Sequence, residues 1–237
     1  MLYLIGTGIG NGLSSEAIEI LKGCKKIYLE SYTSVFQGDL KKVEKLINKK
    51  VEKAERDFVE SYDVSNALKE NVALLIIGDV FSATTHISLF NDCKEKNVEV
   101  KILNNSSILT AIGITGLELY KFGKTASIPF NNKNIETPFK ILENNRKINA
   151  HTLFLLDLDP LKDKFLNIRE GIEYLEKRGF KGKVVGCARL GSDDFVIKYG
   201  DSEKVKEENF GEGPYCIIVP SDKLHFMEEE VLRKWKL

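Results

Sequence analysis

The sequence predicts an α/β protein of two α/β domains, the first built on a mostly parallel sheet and the second on a mixed sheet. Three observations predict it. Over the first half, apolar runs of strand length alternate with segments of helical period, the order that gives a parallel sheet with helices on its faces. One of those runs, NVALLIIGD, is apolar at every position from Val72 to Ile77, as a strand buried on both faces must be. Beyond Gly123 two strand-like runs, KVVGCARLG and DFVIKYG, are joined by only a few polar residues (Ser192, Asp193, Asp194), which reads as a hairpin and brings antiparallel pairing into the second half.

The elements follow in order. LYLIG reads as a first strand and LSSEAIEILKG as a helix, with Ser14 or Ser15 as N-cap and Gly23 as its stop. KKIYLE is a second strand and Leu40 to Ile47 a polar helix; the charged run KKVEKLINKKVEKAER reads as a solvated helix face. After the central strand, SATTHISLFNDCKEKN reads as helix, VEVKIL as strand and SSILTAIGITGLELYKFG as one long helix. TASIPF, HTLFLLDLD and YCIIVP complete the strands, and helices are expected over Pro138 to Asn145, Asn167 to Arg178 and Leu224 to Trp235. A hinge near Phe122–Lys124 divides the domains into 1–122 and 123–237, with the cleft between them as the natural ligand site.

Composition narrows the function classes. The 237 residues carry 35 Lys and Arg against 35 Asp and Glu, a net charge of zero, where a protein held by phosphate backbones shows a basic excess. Cys24, Cys93, Cys187 and Cys216 lie far apart with no C-x-x-C pair, so no zinc or redox motif is indicated and reduced, partly buried thiols are expected. Met1 leads straight into a strand-like run rather than a leader, and no apolar segment approaches membrane-spanning length; a cytoplasmic protein without a membrane partner is expected, and the balanced charge argues against a direct nucleic-acid partner.

The chain opens LIGTGIGNG, a strand followed by glycines. A dinucleotide fingerprint needs G-x-G-x-x-G with an acidic residue about 20 positions on. Glu30 supplies the acid, but the register fails: counting from Gly6 and Gly8 the third position is Asn11, and counting from Gly8 and Gly10 it is Leu13. GDVFSATTH, from Gly78 to His86, falls at the carboxyl end of the central strand, where ligands bind in open parallel sheets. Gly78 permits a tight turn, Asp79 presents a carboxylate, and Ser82, Thr84 and Thr85 start the next helix; Ser82 can equally be a plain cap and His86 a satisfied helix residue. NNSSI, from Asn104 to Ile108, repeats the arrangement at the next strand end, and there a plain N-cap at Ser106 or Ser107 competes with ligand contact.

Taken together, LYLIGTGIGNG, YLESYTS, GDVFSATTH, NNSSILTAIGITGLELYKFGKTASIPF, HTLFLLDLD, VGCARLGSDD, FGEGPYCIIVP and LHFMEEEVL resemble, nearly end to end, the diphthine synthase family, the diphthamide-biosynthesis methyltransferases of the tetrapyrrole-methylase-like class. The resemblance implies a homodimer of two-domain subunits that methylates a modified histidine on translation elongation factor 2. S-adenosylmethionine would lie folded in the interdomain cleft and leave as S-adenosylhomocysteine, with no metal. The acceptor is the amino group of a 3-amino-3-carboxypropyl arm. Three successive transfers give diphthine in archaeal members, whereas eukaryotic relatives add a fourth methyl on the carboxylate. The Lys-, Ile- and Asn-rich composition points to an archaeal source. Carried onto this chain, the family's cofactor contacts are Ile9, Asp79, Ser82, Ser107, Ile108, Leu156 and His225. The family's usual Pro-Leu-Val after Gly-Asp is replaced here by Val80, Phe81 and Ser82.

A sulfonium donor needs neither metal nor covalent nucleophile from the protein, only an in-line neutral amine and exclusion of water. Candidate bases for the amine's proton are His86, Glu30 and Asp79, whereas His151, just before an apolar strand, reads as structural. The glycines are expected to leave open space for the acceptor arm, so that Gly8→Val would block the acceptor more than the cofactor. Three other readings stand beside this one: a tetrapyrrole or small-molecule methyltransferase of the same fold, a nicotinamide-dependent dehydrogenase, and a non-catalytic module that docks on a translation factor.

Overall fold

The computed structural model describes residues 1–10, 12–82 and 85–237. Asn11, on which one glycine register turned, and Thr84, expected at a helix start, lie outside the described residues. The chain divides into two compact units, Met1–Leu109 and Thr110–Leu237.

In the first unit the elements run β1 (Leu2–Gly6), α1 (Ser15–Gly23), β2 (Lys26–Glu30), α2 (Leu40–Ile47), β3 (Glu52–Ala54), α3 (Arg56–Glu60), β4 (Val72–Ile76), α4 (Ile87–Glu95) and β5 (Val100–Leu103). The five strands form one sheet in the order β3-β2-β4-β1-β5, and every pairing is parallel. Strand side chains alternate between faces, and β4 shows the result. Val72, Leu74 and Ile76 pack with Leu89 and Cys93 of α4, while Ala73 and Leu75 pack with Ala17 and Leu21 of α1 on the other face. The all-apolar sequence of β4 is thus the signature of a sheet covered on both sides. Ser14 caps α1 by accepting from Ala17 N at 3.1 Å.

The helix over Leu40–Ile47 forms as expected, whereas the rest of the charged run, read as helix face, does not. The helix closes at Ile47, Asn48 turns left-handed at φ 54, and the chain pairs as β3 along β2, Glu52 opposite Tyr28. Glu44 fixes this exit by accepting the Val51 N–H at 2.9 Å. Apolar Val51 and Ala54, both buried, draw the run into the sheet edge.

The expected long helix of 106–123 is also broken. It forms one turn, α5 (Ile108–Ala111), then short 3₁₀ turns over Ile112–Thr115 and Leu119–Lys121 on either side of Gly116 at φ 90. A Cβ at Gly116 would lie 2.3 Å from Val231, and no side chain fits there. The segment after it bonds within the second unit: Glu118 N and Lys121 Nζ donate to Glu228, and Gly123 N donates to the His151 carbonyl. Residues 110–122 therefore count with the second unit, ahead of the 122/123 boundary read from the sequence.

The second unit continues β6 (Ala126–Ile128), α6 (Thr137–Lys147), β7 (Thr152–Leu156), the small pair β8 (Leu158–Asp159) and β9 (Lys164–Phe165), α7 (Ile168–Glu176), β10 (Lys183–Ala188), β11 (Val196–Asp201), α8 (Ser202–Val205), β12 (Tyr215–Val219) and α9 (Phe226–Lys234). Its main sheet has the order β11-β10-β12-β7-β6 and is mixed: β6 runs parallel to β7 and the other pairings are antiparallel. The expected hairpin is β10–β11. A core of Phe154, Ile217 and Val219 from the strands and Ile172, Tyr174 and Leu175 from α7 holds the unit together.

Candidate functional site

The sheet order of the first unit decides where a ligand can sit. From β1 the chain leaves for the face covered by α1; from β4 it leaves for the opposite face, covered by α4. β1 and β4 are neighbours, so their carboxyl ends open a crevice between diverging loops, the place where open parallel sheets bind ligands.

Here the two loops are stitched together. Gly8 N donates to the Gly78 carbonyl at 3.0 Å, and Gly78 N donates back to the Gly8 carbonyl at 3.1 Å. Both residues need positive φ, +69 and +84, which glycine adopts without strain. The loop after β5 closes the third side through Asn105. Its Nδ2 donates to the carbonyls of Gly6 at 3.0 Å and Gly12 at 2.6 Å, its Oδ1 accepts Ser106 N at 2.8 Å, and its own N–H donates to Asp79 Oδ2 at 3.1 Å. Ile9 N reaches Ser106 Oγ at 3.4 Å.

Asp79 is the anion at the centre. Its Oδ1 accepts from Phe81 N and from Ser82 Oγ, each at 3.0 Å. Burial pushes its carboxyl up, but the N–H groups of Phe81 and Asn105 and the Ser82 hydroxyl outweigh burial and hold it below the usual aspartate value. Ser82 serves Asp79 rather than the next helix, which starts only at Ile87 with His86 at its N-cap position. Ser107 is buried and caps the turn of α5, its Oγ accepting Leu109 N at 3.2 Å.

Five of the seven sequence-derived contacts follow the carboxyl ends of β1, β4 and β5: Ile9, Asp79, Ser82 and Ser107 on the loops, and Ile108 as the first residue of α5. Leu156 and His225 belong to the second unit. Leu156 ends β7 inside that unit's core. His225 is exposed at the start of α9, where its Nδ1 accepts Met227 N at 3.4 Å and its N–H donates to Glu228 Oε2 at 2.8 Å in a capping box.

The space read beside the glycines is filled. A Cβ at Gly6 would lie 2.7 Å from the Gly78 carbonyl oxygen, and one at Gly8 would lie 2.9 Å from Asn105 Oδ1 and 3.1 Å from Ser106 Oγ. The glycines admit neighbouring protein rather than an acceptor arm. Asn105, which reaches three segments at once, was passed over in the sequence; its signal was a second amide residue ahead of the Ser-Ser pair at a strand end. Asn105→Ala is expected to leave the Gly6 and Gly12 carbonyls without this donor and to cost about 1–3 kcal/mol of stability, measured by urea unfolding.

Of the three candidate bases, Glu30 and His86 are buried and Asp79 is partly exposed. Glu30 Oε1 accepts Ile77 N at 2.9 Å and Thr33 Oγ1 at 2.5 Å, and Glu30 Oε2 lies 3.0 Å from His86 Nε2. Tyr32 hydroxyl sits 3.4 Å from the same His86 nitrogen; burial, reinforced by the Glu30 carboxylate, pushes that phenol up to about 12. In the second unit His151 Nδ1 accepts Ser221 N at 2.9 Å, so its Nε2–H is the donor to Glu228 Oε1 at 2.8 Å. Both His151 nitrogens are used, which fits the structural role read from its sequence position. Among the described residues, no three His, Cys, Asp or Glu side chains gather as a metal-binding cluster, and no helix is long and apolar enough to cross a membrane.

The chain is similar to known proteins along its whole length. The family described as Tetrapyrrole (Corrin/Porphyrin) Methylases matches residues 1–205. Diphthine synthase of Methanocaldococcus jannaschii is 39% identical, with 98% of each chain covered. Diphthine synthase of Methanothermobacter thermautotrophicus is 33% identical over 98% of this chain and 94% of its own. A crystal structure of diphthine synthase superposes with a TM-score of 0.91 at 32% identity, covering 100% of this chain and 96% of the other. The all-parallel first sheet, the mixed second sheet and these likenesses lead to one assignment: the chain belongs to the tetrapyrrole methylase family and, within it, to the diphthine synthases.

Proposed function

We propose that this S-adenosylmethionine-dependent methyltransferase acts on translation elongation factor 2, methylating the amino group of an aminocarboxypropyl-histidine three times to give diphthine. It would do so in the cytoplasm as a homodimer. Membership of the diphthine synthases supports the methyl transfer and its place in diphthamide biosynthesis. The observation that carries the reading is the Gly8–Gly78 stitch with Asp79 and Asn105 beside it, a hydrogen-bonded rim at a sheet's switch point.

The residues present fit the cofactor. Asp79 presents a carboxylate at the strand end, a group suited to hydroxyl or cationic partners. On the first unit the proposed contacts are Ile9, Asp79, Ser82, Ser107 and Ile108; on the second, Leu156 and His225. Bound S-adenosylmethionine supplies an activated methyl on a sulfonium, so the chain's task is to orient and to exclude water. The rim is tied by the protein's own hydrogen bonds, which gives a ligand a fixed frame to be oriented on. The acceptor amine must lose a proton before each transfer. Glu30 and His86, buried to 0% and 1% exposure, face each other inside the first unit.

The test is a single assay. The protein is mixed with labelled S-adenosylmethionine and elongation factor 2 bearing the aminocarboxypropyl-histidine, and the factor's mass is followed. Three methyl increments are expected; no transfer to the factor together with transfer to a tetrapyrrole overturns the reading. In the same assay Gly8→Val is expected to abolish cofactor binding and transfer together, because its side chain meets Asn105 and Ser106. Retained cofactor affinity with lost transfer would return the glycines to an acceptor role.

A further inference from the structure

We propose that Glu30 is a positioning residue for the cofactor loop: it grips both ends of the segment that carries Asp79 and Ser82. The inference rests on the cofactor reading of Asp79, and it assigns a role to a buried charge which that reading leaves unused.

The geometry is specific. Pairing of β2 with β4 ends at Leu29 opposite Leu75, so the next amides of β4 run past the ladder. Glu30, the last residue of β2, replaces the missing strand with its side chain: Oε1 takes the Ile77 N–H at 2.9 Å, immediately before Gly78 and Asp79. Its other oxygen lies 3.0 Å from Nε2 of His86, at the far end of the same segment and at the N-cap position of α4. One carboxylate therefore holds the loop where it leaves the strand and where it enters the helix. Thr33 Oγ1 donates to Oε1 at 2.5 Å, and the Tyr32 hydroxyl stands 3.4 Å from His86 Nε2, so the turn after β2 braces the same pair. Tyr32 is in turn covered by the Arg56 guanidinium, 4.9 Å from its ring centre.

The chemistry asks why a charge is used. A neutral acceptor would satisfy Ile77 N equally well, and a fully buried carboxylate is costly unless it is paired. Glu30 Oε2 is buried and off the line of any hydrogen bond, though it faces His86 at 3.0 Å. A buried polar atom held in this way calls for a reason beyond packing. The pair supplies one: the negative charge on Glu30 sets which nitrogen of His86 presents a hydrogen toward it. The ring's orientation then fixes where α4 begins, and hence how the 78–82 turn is strung between its two anchors.

Glu30→Ala would open a hole and strand Ile77 N, so Glu30→Gln is the informative variant. It keeps the shape and an acceptor for Ile77 but turns an amide donor toward His86. Two readouts are taken. Calorimetry is expected to give an S-adenosylmethionine Kd raised about tenfold, while the unfolding midpoint stays within about 2 °C of wild type. The double variant Glu30→Gln/His86→Gln should be no weaker in binding than the weaker single one, the mark of two groups acting as a unit. A Kd within about twofold of wild type, or full additivity in the double variant, overturns the proposal. The second readout uses no cofactor: amide exchange at Ile77 to Ser82 should quicken in ligand-free Glu30→Gln while β1 and β5 keep their rates. Unchanged exchange there overturns the positioning role. Wild-type protein that binds no S-adenosylmethionine overturns the proposed function instead, and the exchange comparison still decides the role of Glu30.

Discussion

Asp79→Asn is expected to weaken S-adenosylmethionine binding about a hundredfold, equivalent to about 2.7 kcal/mol, with calorimetric Kd as the measure. The reason lies in what Asp79 already holds. Several donors converge on its two oxygens, among them Phe81 N and Ser82 Oγ on one and Asn105 N on the other. An asparagine offers one acceptor and one donor in their place, so one of those groups faces an N–H instead of an oxygen. Hydrogen bonds to a charged acceptor are each worth about 1.5–3 kcal/mol. On the proposed function, the variant thus loses both an anionic partner for the ligand and the shape of the loop. Binding within about threefold of wild type would remove Asp79 from the cofactor site.

Glu228→Ala is expected to lower the unfolding free energy by about 3–5 kcal/mol, the cost of stripping one partner from a buried charged cluster. Glu228 is fully buried and takes four donors: the N–H groups of Glu118 and His225, Lys121 Nζ and His151 Nε2. Burial pushes its carboxyl up, but Lys121, the two backbone N–H groups and His151 prevail and hold it at about 2, against an ordinary 4.5. Burial lowers His151 from 6.5, against the pull of Glu228. Both shifts are depressions, so both contributions are present at neutral pH and shrink on acidification. His151 gives up its share as pH falls below 6.5, and Glu228 its share between 4.5 and about 2. Urea titrations across that range should show wild type losing stability progressively, with Glu228→Ala flatter below pH 4.5. A variant as stable as wild type at pH 7 would refute the hub.

Much of the fold was legible because its cues are local. Every residue of β4 is apolar, Ser14 does cap α1, and the short link after Gly191 does make a hairpin. What escaped depends on partners distant in sequence. The long helix of 106–123 looked continuous because Gly116 is tolerable in a helical pattern; the chain instead turns left-handed there, at a position that only glycine can hold because Val231, far along the chain, leaves no room for a Cβ. The charged run after Leu40 read as one helix because Val51 and Ala54 are its only apolar cues for β3. The candidate site was half legible. GDVFS and NNSSI announced their places by following strands, but the glycine start was read as empty space. Its true neighbour, Asn105, lies 99 residues beyond Gly6, and no spacing rule connects them.

The reciprocal Gly8–Gly78 stitch has a consequence for engineering. If the rim holds the cofactor as proposed, enlarging it for sulfonium donors with bulkier transferable groups means removing atoms around it. Here the two glycines are already as small as residues can be, and they form one unit: moving either drags the other strand end with it. A redesign that reshapes this rim must therefore change both loops in a single step or leave both alone. The room for variation lies in side chains that decorate the rim, such as Ile9 and Phe81, which are only partly buried.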